Sequence, residues 1–315
     1  MDVLSDILDL LKIRGSFYFA TAFNAPWGIQ VPDYQNVARF HMAVGGDCWI
    51  KVNSSDEHIM LCAGDMIIIP HGAAHTLSDS PETPIVSLDQ ALEIGSMTTD
   101  SHFMYGGVGA ARCHLVCGHF EFDERFKHPL LQDLPDHILI RGQQAVEFSW
   151  FENAMRYMNY ESTSNQMGGQ AIIKRLSEIL FIHAVRAWAA SDDHQSGFLC
   201  AIGDKHIGRG LRCFHMKPEE AWTIDQLAHE SGLSRSVFAD RFRDMMEMTP
   251  AQYMTFWRMQ KACEYLLEGD LSTDAIAEKV GYQSLASFSK VFKKVVGTGP
   301  GQYRRDGGSM ELAIA

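Results

Sequence analysis

Apolar positions near the end of the chain fall three and four apart, twice over, in matching registers. From Ser272 to Phe292 the pattern predicts a helix, a tight turn and a second helix. Ile276, Ala277 and Val280 share one helical face, Gly281 sits where the first helix must stop, and Phe288 and Phe292 pin the second. Ser272 and Ser284 stand where N-cap hydroxyls are needed to satisfy orphan amides. From Thr223 to Phe242 the arrangement recurs, with Thr223 and Gln226 spaced as a capping box. Leu227, Ala228 and Gly232 match Ile276, Ala277 and Gly281 at a shift of 49. Phe238, Phe242, Pro250 and Tyr253 match Phe288, Phe292, Pro300 and Tyr303 at a shift of 50, so one residue is inserted in the second turn. Between the copies, Ala251 to Leu267 reads as one continuous helix. Phe256, Met259, Cys263 and Leu266 lie on its inner face, and Arg258, Lys261 and Glu264 off it.

Elsewhere the periodicity changes. Residues 2–11 predict a short acidic amphipathic helix, and Gly15 to Phe122 reads as strands broken by turns at residues 24–26, 44–47 and 63–65. The β-branched run Ile67–Ile69 ends at Pro70, and Cys113 to Phe122 is a later strand. Ser78 to Thr99 is expected to be loop, residues 106–109 a flexible lead, and Pro129 to Ile140 an exit from the strands. Two helices follow, Ala145 to Tyr160 and Ala171 to Ala190, the latter with Ile172, Leu176, Ile179, Leu180 and His183 on one face. They either pack on their own chain or form a homodimer seam. Ser191 to Ser196 reads as a hinge, and the tail after Arg305 as frayed.

Charge sharpens the division. The 315 residues carry a net −12, which alone speaks against nucleic acid. Lys205 to Asp306, however, holds 15 Lys and Arg against 13 Asp and Glu, and the rest of the chain 12 against 26. Positive charge gathers at Arg235, Arg241 and Arg243 and at Lys290, Lys293 and Lys294, as a salt-dependent phosphate contact requires. Seven cysteines, an odd number without scaffold spacing, indicate a reducing compartment. With no apolar stretch long enough to span a membrane and no signal-peptide pattern, a cytoplasmic protein without membrane partners is expected.

Ala277, Gly281, Tyr282, Ser287, Phe288, Phe292, Lys293, Gly297, Pro300 and Tyr303 give Ile207 to Arg305 a resemblance to the DNA-binding domain of the AraC/XylS family of bacterial transcription regulators. The resemblance implies sequence-specific binding of double-stranded promoter DNA, usually to activate RNA polymerase, as a homodimer under an unknown small-molecule effector. It implies that base edges meet Arg235, Ser236, Ala239 and Asp240 in the first copy and Leu285, Ala286, Ser287 and Lys290 in the second. Ser284, Arg241, Arg243, Lys293 and Lys294 complete the expected DNA face. Arginine or lysine suits guanine and a small apolar group suits a thymine methyl, whereas Leu285 and Ala286 offer no side-chain hydrogen bond. The second copy is therefore expected to orient more than to read. The phenylalanines are expected to be core, not base-stacking, residues.

Upstream, the segment from Gly64 to His75, a glycine, five residues and Pro-x-Gly-x-x-His, resembles the second cupin motif, and Phe40, His41 and the turn at Gly45, Gly46 and Asp47 fit the first. In cupins the closing histidine, here His75, ligates metal. Nine of fourteen histidines lie within residues 1–137, and imidazole with thiolate suits zinc or another divalent metal. The expected ligands are His41, His75 and Cys117, with His119 or His71 as a fourth. Met42 and Ala43 follow His41, and no Glu lies within the next ten residues, which departs from the metal-using cupin enzymes. A regulator, activator before repressor, is preferred to a cupin enzyme fused to a DNA-binding module. A redox role for Cys113 and Cys117 requires movement, since four residues of one strand span about 13 Å; Cys48 or Cys62 is an alternative partner. The expected fold is α+β. A cupin-like barrel over 1–135 precedes a helical linker over 136–196, an all-α module over 197–306 with two helix-turn-helix units joined by a long helix, and a tail over 307–315.

Overall fold

Strand pairing starts at Arg14, where the helical spacing of the first residues gives way to alternation. The structure, a computed structural model, describes residues 2–34, 37–53, 55–98, 102–108, 113–123, 125, 128–142, 149–164, 166–190 and 197–308. The expected hinge over residues 191–196, the start of the first linker helix, and the tail after residue 308 lie outside them. A seven-stranded sheet is built from β1 (Arg14–Asn24), β3 (Val37–Gly45), β6 (Met66–Ile69), β9 (Ser96–Met97), β10 (His102–Gly106), β11 (His114–Glu121) and β12 (Ile138–Ile140), in the order β12-β6-β3-β11-β1-β10-β9. A five-stranded sheet orders β5 (Ile59–Leu61), β4 (Cys48–Val52), β7 (His75–Ser78), β2 (Gly28–Val31) and β8 (Val86–Ser87). One apolar core draws on both sheets, with Phe23, Ile67 and Leu115 from the first and Trp27, Ile50 and Leu77 beside or within the second. Burying apolar side chains from two facing layers is what makes such a pair stable. The expected cupin-like domain is thus built as two sheets sharing one core.

Register decides which side chains meet. Cys117 of β11 stands opposite His41 of β3, and His75 of β7 opposite both Val31 and Val52. Leu115 and Cys117 face the core between the sheets, whereas Phe120 turns to the other side of its sheet. There its ring meets Phe40 at 5.0 Å and Phe181 at 4.9 Å. Phe181 belongs to α5 (Gly169–Ala189), which with α4 (Ser149–Thr163) packs on β1, β3 and β12 of its own chain. Gly15 permits that approach, since a Cβ there would stand 2.4 Å from Ser177 Oγ. The buried face of α5 is Ile173, Ser177, Leu180, Phe181, Ala184 and Val185, one position round from the expected one, and Ile179 is exposed. The helix is apolar over so wide an arc that spacing alone does not choose the contact.

Two segments read as loop carry structure. Ser87 and Gln90 form a capping box that starts α2 (Leu88–Ile94). After α3 (Pro129–Gln132), β12 pairs with β6 instead of leaving the sheet.

The chain divides into a sheet unit, Ile13–Phe122 with Leu134–Ala190, and a helical unit, Met1–Lys12 with Asp123–Asp133 and Ser191–Ala315. This departs from a first domain over 1–135. The helix α1 (Val3–Leu11), capped by Asp2, buries Ile7, Leu10 and Leu11 in the helical unit, against α7 (Ile207–Met216) and α10 (Pro250–Glu268). Its Asp6 carboxylate lies 3.4 Å from His215 Nδ1, and His215 Nε2 meets the Tyr253 hydroxyl at 2.8 Å. His128 accepts the Leu130 amide at 3.1 Å, and its ring is enclosed by Phe198 of α6 (Phe198–Gly203) and by Tyr253, Phe256 and Trp257. The remaining helices are α8 (Ile224–Glu230), α9 (Arg235–Met246), α11 (Thr273–Lys279), α12 (Leu285–Val296) and α13 (Pro300–Arg305). The connecting helix α10 is buried on nearly every side, through Tyr253, Met254, Trp257, Met259, Gln260, Cys263, Glu264 and Leu266. It is the core of the unit rather than a one-faced spacer, because α1, α9, α11, α12 and α13 all pack on it.

Candidate functional site

The two helix-turn-helix units are built alike, down to single hydrogen bonds. Thr223 and Gln226 make the expected capping box, and Ser272 accepts the amide of Ala275. Both turns close by the same bond, Leu233 to the Ala228 carbonyl and Tyr282 to the Ala277 carbonyl, at 2.9 and 2.8 Å. The glycines between them take positive φ, +68° at Gly232 and +84° at Gly281. Burial along α9 and α12 agrees at eleven of twelve positions under the shift of 50. Phe238, Phe242 and Met246 face inward in one, and Phe288, Phe292 and Val296 in the other. The outward positions are Arg235, Ser236, Val237, Asp240 and Arg241 in α9, and Leu285, Ala286, Ser287 and Lys290 in α12. Val237 is 49% exposed and occupies the place of Ser287; its apolar character hid it, although the repeat places it. Ala239 lies on the half-buried shoulder and is not a forward-facing position.

Charge separates the copies. Each arginine of the first has an acidic partner: Arg235 with Asp225 at 3.4 Å, Arg243 with Asp240 at 2.7 Å, and Arg241 with Asp204. Burial opposes the charge on Asp204, but the amides of Ile207 and His206 and the Arg241 guanidinium outweigh it and hold the carboxyl below its ordinary value. Lys290, Lys293 and Lys294 have no ion-pair partner among the described residues. Ser284 and Ser287 are partly engaged in capping, with Ser287 N on Ser284 Oγ at 3.2 Å and Ser287 Oγ on the Ser284 carbonyl at 2.9 Å.

One position breaks the repeat. α12 ends at Gly297 with φ +88°, and α9 ends at Glu247, which takes φ +53° without a glycine's freedom. A side chain in the left-handed region costs about 1–2 kcal/mol. Glu247→Gly is expected to stabilise the helical unit by about 1 kcal/mol, read as a higher thermal midpoint. An unchanged or lower midpoint would show that Glu247 has contacts that offset its backbone strain.

Inside the sheet unit three expected ligands come together, though not around a single point. His75 Nδ1 lies 2.8 Å from the Ala73 carbonyl, which can only accept, so Nδ1 carries the proton and Nε2 the lone pair. His41 Nε2, 2.7 Å away, is then the donor to His75, and His41 Nδ1 is left to accept from Cys117 Sγ at 3.2 Å. The result is a chain of neutral groups, Cys117 to His41 to His75 to a carbonyl. Burial, then the neighbouring His75 and Arg39, hold His41 well below its ordinary value. Burial lowers His75 to about 4, against the Ala73 carbonyl and helped by Arg39. Cys117 is pushed up to about 12 by burial and then by Cys113.

That chain does not fit the expected metal centre. Both nitrogens of His41 are committed to opposite neighbours, so one ion cannot take all three side chains in this arrangement. Among the described residues no group of three or more His, Cys, Asp or Glu side chains is disposed to hold a metal ion. His71 donates to the Leu134 carbonyl at 2.8 Å and His119 meets Glu121 at 2.9 Å, so neither candidate fourth ligand joins the chain. On the outer side of the same sheet, a cleft of about 300 Å³ is lined by Ala20, Thr21, Val44, His102, His114 and Asn159. No described helix is long and apolar enough to cross a membrane.

Comparison with known proteins agrees with both halves. A cupin family model matches residues 2–190, including two segments that fold with the helical unit, and a helix-turn-helix domain model matches residues 227–306. The chain is 31% identical to an AraC-like transcription regulator of Streptomyces lividans, over 97% of this chain and 98% of that one. It is 27% identical to the HTH-type transcriptional regulator AlkR of Acinetobacter baylyi, over 97% and 99%. It is also 27% identical to the RCS-specific HTH-type transcriptional activator RclR of Escherichia coli, over 96% and 97%. Among solved structures, the DNA-binding domain of AdpA in complex with a target DNA matches 33% of this chain and 93% of its own, at 24% identity and a TM-score of 0.32. Equivalent recognition helices on a shared central helix, joined in one chain to a cupin domain and matched from end to end by such relatives, make this protein a member of the AraC-like transcription regulators.

Proposed function

We propose that the chain is a cytoplasmic transcription activator that binds promoter DNA as a homodimer and answers to a signal received in the sheet unit. The observation that carries the DNA-binding half is the matched burial of α9 and α12, which present equivalent faces while the phenylalanines hold them. A helix fixed in this way suits the major groove, and two on one face of a duplex must stand about 34 Å apart. Activation is preferred to repression because one relative matched end to end carries the word activator in its name. Contact with RNA polymerase follows from that reading. The dimer surface is assigned to α4 and α5, where Tyr157, Tyr160 and Ile179 remain exposed after the helices have packed on their own sheet. A small polar effector fits the cleft lined by His102, His114 and Thr21. An enzyme is disfavoured by Met42 and Ala43, which stand where metal-using cupins carry the next ligand.

The charge asymmetry divides the work. The paired arginines of α9 exchange one partner for another on binding, and exposed pairs cost little to open. The three lysines of α12 supply the phosphate term. Lys290→Ala, Lys293→Ala and Lys294→Ala are each expected to lower operator affinity and to reduce the slope of log K against log salt by about 0.9. Arg235→Ala is expected to cost about 1–3 kcal/mol and to relax preference at one base pair. Gel-shift titrations at several salt concentrations read both effects. Lysine variants with wild-type slopes would remove α12 from the interface.

A further inference from the structure

Among the large apolar side chains from Thr223 to Arg305, two are exposed, Val237 at 49% and Leu285 at 38%. Each stands in the first turn of a recognition helix, Leu285 directly after the cap Ser284 and Val237 three residues after the cap Ser234. Folding does not ask for either. An exposed first turn suits polar side chains, and valine, stiff at χ1, is a poor helix former. The same unit shows what serves at the place of Val237. Three residues after their caps, α8 carries Gln226 and α10 carries Gln252, and each closes a capping box. α9 has valine there and keeps half of that arrangement, the bond from the Val237 amide to Ser234 Oγ at 3.4 Å. A position that gives up a local rule in this way is expected at a functional site. The repeat does not impose the two groups either, because at the shift of 50 Val237 matches Ser287 and Leu285 matches Arg235.

We propose that Val237 and Leu285 each read a thymine by packing on its 5-methyl group in the major groove. Leu285 thereby makes the second copy a base-reading unit rather than an orienting one. This rests on the reading of α9 and α12 as the DNA-binding helices. The first turn of a recognition helix is the part that meets base edges. Of the groups that the major groove displays, the thymine methyl is the one that hydrogen bonds cannot read and an apolar side chain can. Covering it takes one methyl group out of water, which corresponds to about fourfold in affinity. The contact is uncharged and releases no counterion, so this factor does not depend on salt as the lysine contacts do. With the copies one helical turn apart on one face of the duplex, the two thymines fall about 10 base pairs apart. The neighbouring outward groups, Arg235, Ser236 and Asp240 in α9 and Ser287 and Lys290 in α12, are polar and remain for hydrogen bonds.

Selection from a random duplex library with the full chain supplies the operator. Deoxyuridine in place of thymine, one position at a time, then removes single methyl groups without touching a hydrogen bond. Two positions about 10 base pairs apart are each expected to lose about fourfold in affinity, by the same factor at low and moderate salt. Bromodeoxyuridine, whose 5-bromine fills the place of the methyl, should restore the loss. Val237→Gln should abolish the effect at one position and Leu285→Gln at the other, each leaving its counterpart intact. Val237→Gln also completes a capping box with Ser234, so its thermal midpoint should not fall below that of the unaltered chain. A vanished methyl effect in that variant is then not a folding effect. A deoxyuridine scan that finds no loss at any thymine overturns the proposal, as do losses that persist in both variants. Weakened binding by the variants, with an unaltered chain that ignores deoxyuridine, places these side chains on sugar or phosphate and overturns it too. That outcome leaves DNA binding in place, whereas selection that enriches no sequence removes the DNA-binding reading and this proposal with it.

Discussion

Acidification from pH 7 to pH 4.5 is expected to remove roughly 3 kcal/mol from the stability of the sheet unit, because each tenfold change in proton affinity is worth about 1.4 kcal/mol. The cause is His75, lowered to about 4 by burial, together with His41, lowered well below its ordinary value by burial and the nearby His75 and Arg39. In the unfolded chain both imidazoles take up protons near pH 6.5. In the folded chain each nitrogen of the pair already has its partner, and Arg39 stands close, so protonation waits for a lower pH. Between about 4 and 6.5 the unfolded state therefore binds more protons than the native one, and stability rises with pH across that window. Above it the contribution is fully present; it fades as the pH falls toward the folded value. Urea unfolding at each pH can be followed by a brief pulse of thiol reagent at neutral pH, with Cys48, Cys113 and Cys117 as reporters because all are buried when folded. His75→Gln should flatten the profile at the cost of some stability at pH 7. A wild-type profile that is flat from pH 4.5 to 7 would falsify the neutral chain. His128 is lowered by burial and then His215. His215 is lowered by burial, with Asp6 acting against the shift. Both therefore add a slope of the same sign in the helical unit.

The histidine chain also shows where sequence reasoning stops. His41, His75 and Cys117 were legible as a group because one cupin motif and one period-two strand place them on inward faces. What each nitrogen does was not legible, since it follows from the Ala73 carbonyl, a backbone atom with no sequence signature. Which groups meet across the core depends on how one sheet lies over the other. Alternation within a strand orders side chains along a face but says nothing of the facing layer.

Local signals fared better in the helical unit. Caps, turn glycines and phenylalanines are set within a few residues of one another, so α12 starts at the residue after its predicted cap, Ser284, and α9 starts after Ser234, the same place in the first copy. The unit's boundaries were not local. Ile7, Leu11 and His128 are distant in sequence from Tyr253 and Trp257, and their burial with that core could not be read from periodicity in either segment. α10 was misread as one-faced for a related reason. Gln260 and Glu264 look solvent-facing by type, yet both are buried, and the Gln260 amide has no hydrogen-bond partner among the described residues.

Gly281→Ala is expected to destabilise the helical unit by about 3 kcal/mol, and Gly232→Ala by only about 1–2 kcal/mol, although the two glycines are equivalents. Both have positive φ, so any L side chain meets the same backbone penalty at either turn. Their surroundings differ. A Cβ on Gly232 meets nothing within 4 Å, whereas one on Gly281 would stand 2.6 Å from the Glu219 carbonyl oxygen and 3.2 Å from the Arg258 guanidinium carbon. Arg258, half-buried, donates to the carbonyls of Pro218 and Glu220 at 2.7 and 2.6 Å. The glycine therefore leaves room for a charge-assisted tie between the central helix and the loop that leads into the first unit. Displacing that loop strains two bonds to a charged group, each worth about 1.5–3 kcal/mol, unless the chain relaxes. The second turn is coupled to the first through this contact, and α12 starts only four residues after Gly281, so operator affinity should fall in step with stability. Paired thermal unfolding curves of the two alanine variants read the difference directly. Equal shifts in midpoint would mean that the Glu219 loop gives way freely and that Arg258 does not join the two turns.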